Sequence, residues 1–306
     1  MKVISASRRT DIPAFYSKWL LGRLRAGFCH WRNPFGGQVY RVSLLPEDCL
    51  AIVFWTRNPA PLLPALESLR QEGYRFYFHF TINGYPRALE SHSPPVDDAI
   101  RIFRQLAETM TPELVLWRYD PIVLGDLTPE SHHLDRFDYI SRQLEGYTRR
   151  CYFSFVDFYG KTERNLKRLE HEHGPFRRPS SEERRRLVDQ LRDIARSRDI
   201  ALYSCSDKAL AADGIEKAHC IDGDIIARLR PELELRLKNV PTRRDCGCVQ
   251  ATDIGAYDTC AFGCAYCYAT NSHAAALDRL HAHDHNGTIL WSPPSRQGME
   301  PARIER

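Results

Sequence analysis

With 306 residues, 43% hydrophobic and 27% charged, the chain has the composition of an ordinary globular protein and enough length to bury one sizeable core. A formal net charge of +4 is mild, so it neither demands nor excludes a polyanion partner such as nucleic acid. No apolar run is long enough to span a bilayer and the N-terminus meets Arg8 and Arg9 too early for a signal-peptide core, so no membrane partner is expected and the cytoplasm is the default location.

Apolar runs rich in β-branched and aromatic residues recur at 3–6, 51–55, 76–80, 114–117, 152–156 and 200–203, with a weaker one at 218–221. They read as buried strands. Helix-length segments lie between them at 14–26, 61–72, 96–110, 132–145, 161–170 and 181–198. The last carries the clearest signal: Ser180 and Glu183 have capping-box spacing, and Leu187, Val188, Leu191, Ile194 and Ala195 share one face. The stretch 161–198 carries twelve Lys or Arg interleaved with seven carboxylates, and reads as solvated helix surface rather than a nucleic-acid patch. Strands alternating with helices predict an α/β fold with a parallel sheet covered on both faces, in the form of a (β/α) barrel, complete or partial. A doubly wound open sheet is the alternative, and no Gly-x-Gly-x-x-Gly turn supports it.

Nearly every predicted strand runs straight into polar residues. In chain order these are Arg8, Arg9, Thr10 and Asp11; Thr56, Arg57 and Asn58; His79, Thr81 and Asn83; Arg118 and Asp120; Asp157, Tyr159 and Lys161; and Ser204, Ser206 and Asp207. In parallel barrels such ends converge on the face where ligands bind. Taken singly, Asp11, Asn58 and Asp120 suit turns or helix caps equally well. Taken together, Arg8, Arg57 and Arg118 would bring three guanidinium groups to one rim, which an anionic small molecule would neutralise. Arg8, Asp11, Arg57, Arg118, Asp120 and Asp157 are therefore the candidate catalytic residues. His79 reads as a satisfied core histidine rather than a base.

Five of the ten cysteines fall between residues 246 and 267. The Pro-Thr-Arg-Arg at 241–244 suggests a boundary, with a barrel-like domain at 1–240 and a cysteine-bearing segment at 241–306 packed on its mouth. Within that segment Cys260-Ala-Phe-Gly-Cys264-Ala-Tyr-Cys267 is a C-x3-C-x2-C array, where a short loop can turn three thiolates inward and Gly263 relieves the backbone. Three such ligands suit a [4Fe–4S] cluster better than mononuclear zinc, whose structural sites use two C-x2-C pairs where this array offers one. Zinc completed by Cys246, Cys248 or a histidine is a weaker reading, and a disulfide weaker still. Cys246 and Cys248 either complete a closed four-thiolate centre, hold a second cluster, or simply pack. Cys29, Cys49, Cys151 and Cys205 are isolated in sequence and read as small buried hydrophobes, with Cys220 slightly more interesting at a strand end.

The array, with an aromatic residue before its last cysteine, resembles the signature of radical S-adenosylmethionine enzymes. The resemblance implies that Cys260, Cys264 and Cys267 hold a [4Fe–4S] cluster whose fourth iron is chelated by S-adenosylmethionine. An electron donor would reduce the cluster, and a 5′-deoxyadenosyl radical would abstract hydrogen from the substrate. Gly263 and Tyr266 would belong to the cofactor site, Tyr266 packing by the adenine. There are two departures: the array lies near the C-terminus instead of the N-terminus, and the only Gly-Gly, Gly36-Gly37, is followed by Gln38 where a Gly-Gly-Glu motif needs an acid. That placement, the opening from Ile4 to Pro13 and the lead-in Cys246-Gly-Cys248 … Asp253-Ile-Gly255-Ala-Tyr257 resemble the bacterial domain-of-unknown-function 1848 family over essentially the whole chain. Arg118-Tyr-Asp-Pro-Ile is similar to a stretch in the spore-photoproduct-lyase group, which implies nucleic-acid lesion repair as a narrower version. If 249–256 packs beside the first strand or caps the barrel, the cysteine loop sits over the mouth lined by the polar strand ends. The opposing reading is a non-catalytic or electron-transfer protein with a fully ligated iron–sulfur or zinc centre.

Overall fold

A computed structural model describes residues 1–205, 207–240 and 246–293, and the backbone of 304–305. β1 (Lys2–Ala6) leads into two helices, α1 (Ile12–Phe15) and α2 (Ser17–Ala26), and then a hairpin of β2 (Phe28–Arg32) and β3 (Val39–Ser43). β4 (Cys49–Thr56), α3 (Leu66–Gln71), β5 (Phe76–Thr81), α4 (Val96–Thr109), β6 (Val115–Ile122), β7 (Leu124–Gly125), α5 (Glu130–Leu144), β8 (Arg150–Phe155) and α6 (Gly160–His173) follow. The remainder contributes β9 (Phe176–Arg177), α7 (Ser181–Arg196), β10 (Ala201–Ser204), β11 (Glu216–Lys217), α8 (Gly223–Leu229), β12 (Thr252–Asp253), α9 (His273–His281) and β13 (Ile304–Glu305). Among the described residues no helix is long and apolar enough to cross a membrane.

Eight strands form one sheet in the order β11-β10-β8-β6-β5-β4-β1-β12, every pairing parallel. Both faces are covered, which is why the strands read as near-continuous apolar runs. Along β5, Phe76, Phe78 and Phe80 enter the cluster shared with the helices, while Tyr77 enters a second cluster on the other face. This is the period-two alternation of a strand. The second cluster gathers Val3, Val53, Tyr77, Leu116 and Tyr152 from five strands against Cys220, Ile221, Ile225 and Val249. Tyr77 donates its hydroxyl hydrogen to the Cys220 carbonyl at 3.0 Å, and the Val249 N–H donates to the Ile221 carbonyl at 3.0 Å. The expected α/β architecture holds. No ladder joins β11 to β12 among the described residues, so strand pairing does not complete a barrel there.

The helix predicted at 14–26 is two helices that meet at Tyr16, whose hydroxyl is drawn to the Thr259 carbonyl at 2.7 Å. The segment predicted at 61–72 is helical only from Leu66, after a 3-10 turn at Leu63–Ala65 containing Pro64. The weak strand at 218–221 lies earlier, as β11. The β2–β3 hairpin was not expected; it is only partly buried, and an incomplete apolar face leaves a faint alternation. The capping box of α7 is present, with the Glu183 N–H donating to Ser180 Oγ at 3.1 Å and the Ser180 N–H donating to Glu183 Oε2 at 2.7 Å. Ser206 and the break at 241–244 lie outside the described residues.

β12 is two residues long, yet it fixes the C-terminal segment to the start of the chain. Ile4 pairs with Thr252 and Ser5 with Asp253. The Asp253 carboxylate accepts hydrogen bonds from Ser5 Oγ at 3.0 Å, Ser7 Oγ at 2.6 Å, the Arg8 N–H at 2.9 Å and the Gly255 N–H at 3.0 Å. The fit is tight enough to require glycine at 255, where a Cβ would stand 2.0 Å from Ser7 Oγ. Replacing Asp253 with Ala should cost roughly 2–4 kcal/mol, because hydrogen bonds to a charged acceptor are lost together and water replaces them only partly. Denaturant titration measures this, and a change below roughly 0.5 kcal/mol, typical of an ordinary surface site, would contradict it.

Candidate functional site

The C-terminal ends of the central strands open onto a pocket of about 250 Å³. Arg8, Asp11, Arg57, Arg118, Asp120 and Asp157 reach its wall from the strand ends. Cys246, Cys248, Cys260, Cys264, Tyr266 and Cys267 reach it from the C-terminal segment. Gly263 does not line the pocket but sits in the turn behind it. Its φ is +67°, and a Cβ there would meet Ser91 Oγ at 2.6 Å, so the turn admits glycine alone without rearrangement.

The cysteine loop is seated by its backbone. Ala265 N–H donates to the Leu89 carbonyl at 2.9 Å and His92 N–H donates to the Phe262 carbonyl at 3.1 Å. Cys267 N–H closes a turn on the Cys264 carbonyl at 3.1 Å. None of the three cysteines is in a disulfide. Burial, then the neighbouring Cys267, Asp11 and Cys264, pushes the Cys260 thiol far up. Burial pushes Cys264 up to about 12 against the pull of Arg57. Cys260 and Cys264 thus resist ionising in this buried loop, and a bound cation relieves that penalty. Among the described residues no three His, Cys, Asp or Glu side chains close on a single-ion position. Three thiols brought to one pocket wall are donors whose chemistry suits an iron–sulfur cluster.

Two of the three guanidinium groups expected to need an anionic ligand are neutralised within the protein. Arg57 Nη1 pairs with Glu90 Oε1 at 2.9 Å, and Nη2 donates to the Tyr266 hydroxyl at 2.6 Å. Asn83 Nδ2 lies 3.0 Å from Glu90 Oε1 and 3.1 Å from the Tyr266 hydroxyl, which itself donates to Glu90. Burial opposes the charge on Arg57, but Glu90, then Tyr266 and Cys264, overcome it and hold the guanidinium above its ordinary range. Arg118 pairs with Asp120 through Nη2 at 2.5 Å and Nε at 3.2 Å. Arg118 and Arg8 each lie 5.2 Å from the centre of the Trp55 ring, and Arg8 Nη2 donates to Cys248 Sγ at 3.5 Å. Glu90 escaped sequence reading because it stands alone in the loop after β5. The Arg118–Asp120 pairing was not read from the sequence either, although residues two apart on a strand share a face.

The remaining residues singled out in the sequence are placed as follows. Tyr266, placed beside an adenine by the resemblance, is buried and has its hydroxyl in the Arg57–Glu90 network. Gly36 and Gly37 lie in the turn between β2 and β3, outside the pocket wall. His79 is a buried, neutral core residue: Nε2 bonds the Cys220 carbonyl at 2.7 Å, its ring stacks 4.3 Å from Trp55, and burial, then Arg118, holds its pKa well below the usual value. Cys205 is buried in the second hydrophobic cluster, as expected, but it has a sulfur neighbour there. Its sulfur lies 3.5 Å from that of Cys220, which in turn contacts Cys248, itself in contact with Cys246.

A family model described as a domain of unknown function (DUF1848) matches residues 3–269. The chain belongs to this family. The DUF1848 match begins in β1, takes in the pocket and the whole cysteine loop, and stops before α9. A search of curated proteins gave no match.

Asp11 is the N-cap of α1, accepting from the Ala14 N–H at 2.9 Å, and it also holds the end of β4 through the Arg57 N–H at 2.6 Å. Burial pushes its carboxyl up to about 7, against hydrogen bonds from Arg57, Thr56 and Ala14. The folded pKa lies above the ordinary value of about 3.9, so the folded protein holds this proton more tightly than the unfolded chain. The contribution of Asp11 to stability is therefore complete below about pH 4 and lost as pH rises through 7. In metal-free protein, Asp11→Asn should lose less stability than the wild type between pH 4 and 8, as followed by denaturant titration. Identical pH slopes would contradict this.

Proposed function

We propose that this protein is an iron–sulfur enzyme of the radical S-adenosylmethionine type, with Cys260, Cys264 and Cys267 holding a [4Fe–4S] cluster over the mouth of a partial (β/α) barrel. One observation carries the reading: the three-cysteine loop and the polar strand ends line one pocket, while Cys248 is engaged by Cys220 and Cys246. Three thiolates leave one iron of such a cluster without a protein ligand, and S-adenosylmethionine would bind there through its amino and carboxylate groups. When bound, the pair supplies one-electron reductive cleavage of the sulfonium, with the electron drawn from an external donor.

The residues around the loop suit this role. Tyr266 lies between Cys264 and Cys267 in sequence, so anchoring its hydroxyl to Glu90 and Arg57 fixes the backbone that carries both sulfurs. Arg57 favours the thiolate form of Cys264. Asp11, with its carboxyl near 7, places only part of a negative charge beside Cys260 at neutral pH. Trp55 Nε1 and Thr10 Oγ1, both buried in residues of the pocket wall, have no partner among the described residues, and acceptors on a bound molecule suit them. A small molecule is the substrate class proposed. Arg57 and Arg118 are already paired with carboxylates and do not serve a run of backbone phosphates, as a nucleic-acid groove would require. The opposing reading, a fully ligated structural centre, needs Cys246 or Cys248 to join the loop. Cys248 is buried with its sulfur accepting from the Ile221 N–H at 3.3 Å, which favours the open cluster.

Anaerobic reconstitution tests the proposal. Adding S-adenosylmethionine should alter the electron paramagnetic resonance signal of the reduced protein, and 5′-deoxyadenosine should accumulate, with both effects absent from Cys264→Ala. An unchanged signal and no product from protein containing stoichiometric iron would refute it.

A further inference from the structure

Between Asp11 and Glu47 the sequence has no carboxylate side chain, while Lys18, Arg23, Arg25, Arg32 and Arg41 bring five positive charges, more than the formal net charge of +4 for the whole chain. This stretch folds into α1, α2 and the β2–β3 hairpin. On α7 the arginines are balanced, with Arg184 paired to Asp207, Arg186 to Glu130 and Arg192 to Asp189. None of the five cations of the earlier stretch has an ion pair among the described residues. Hairpin register sorts the side chains: Cys29 and Val42 are paired and buried, so Trp31 and Tyr40 share their face while His30, Arg32 and Arg41 take the other. Phe35, at the tip, is 90% exposed.

Aromatic rings among arginines, with Asp and Glu missing, is the composition of a protein-docking surface. A face that binds single-stranded nucleic acid needs open rings on which bases stack. Here the rings are engaged: Trp31 lies 5.8 Å from Tyr40 and 5.5 Å from the Arg9 guanidinium, and Phe28 lies 4.4 Å from that of Arg41 and 5.5 Å from the His30 ring. No residue from 12 to 54 lines the pocket, yet these elements pack directly on the cysteine loop. The Tyr16 hydroxyl donates to the carbonyl of Thr259, next to Cys260, at 2.7 Å, and the Phe15 ring lies 4.6 Å from that of Phe262. A partner seated on this face comes close to the loop from behind and leaves the mouth open to small molecules.

We propose that α2 and the β2–β3 hairpin dock an acidic one-electron carrier protein that reduces the centre held by the cysteine loop. The electron transfer rests on the function proposed above, whereas the docking rests on the charges alone. One electron leaves the reduced cofactor of the partner and is gained at the cysteine loop, and no bond forms or breaks.

Calorimetric titration with oxidised flavodoxin, an acidic one-electron carrier, tests the docking whether or not a cluster is present. Binding should weaken as salt rises and fall about tenfold in Arg32→Glu/Arg41→Glu, with a smaller loss in Arg25→Glu. Should the double variant not fold, judged by circular dichroism, Arg25→Glu decides. After reconstitution, flavodoxin hydroquinone should reduce the wild type about tenfold faster than the double variant, while dithionite reduces both at similar rates. Absence of binding, binding indifferent to salt and charge reversal, equal reduction of both proteins by flavodoxin, or tighter binding of single-stranded oligothymidine would overturn the inference. Docking with the expected salt and charge dependence but no cleavage of S-adenosylmethionine would remove the proposed function and leave the docking face standing.

Discussion

One carboxylate, that of Asp253, joins the two ends of this chain. It accepts four hydrogen bonds, three of them from residues 5–8, some 245 residues away in sequence. A two-residue strand adds little on its own, and closing so long a loop carries an entropic cost that contacts must offset. The concentration of donors on Asp253 supplies those contacts at the edge of β1. From that point the chain has only a few residues before Cys260, so the position of Asp253 fixes the cysteine loop over the strand ends. The close approach at Gly255 belongs to the same constraint, because no side chain fits between the loop and Ser7.

The second determinant is internal charge pairing. Arg57 is nearly buried, and a lone buried guanidinium would be costly, but Glu90, Asn83 and Tyr266 surround it. The network crosses from the end of β4 through the loop after β5 to the cysteine loop, where Glu90 also bridges Cys264 through the backbone. It also means that positive charge at the mouth is smaller than the number of arginines suggests.

Much of the scaffold was legible because both sheet faces are buried, which turns each strand into an apolar run that stops where the polar mouth begins. The period-two spacing also carried Arg118 and Asp120 to one face, although their mutual pairing went unread. For 249–256 the sequence left open packing beside the first strand or capping the barrel, and β12 takes the first course. What sequence hid was everything that depends on contacts between distant, solitary residues. Glu90 has no neighbour in sequence to flag it. Cys205 and Cys220 stand fifteen residues apart and meet because β10 and β11 pair side by side, and Cys220 there reaches Cys248. The β2–β3 hairpin, half exposed, has no complete apolar face to announce it.

Iron-edge anomalous diffraction from anaerobically reconstituted crystals bears most directly on the central claim. The account predicts an iron cluster bonded to Cys260, Cys264 and Cys267, with one iron lacking any protein ligand and turned toward the pocket. A fourth bond from Cys246 or Cys248 to that same cluster, or an iron-free loop in protein that holds iron elsewhere, would contradict it.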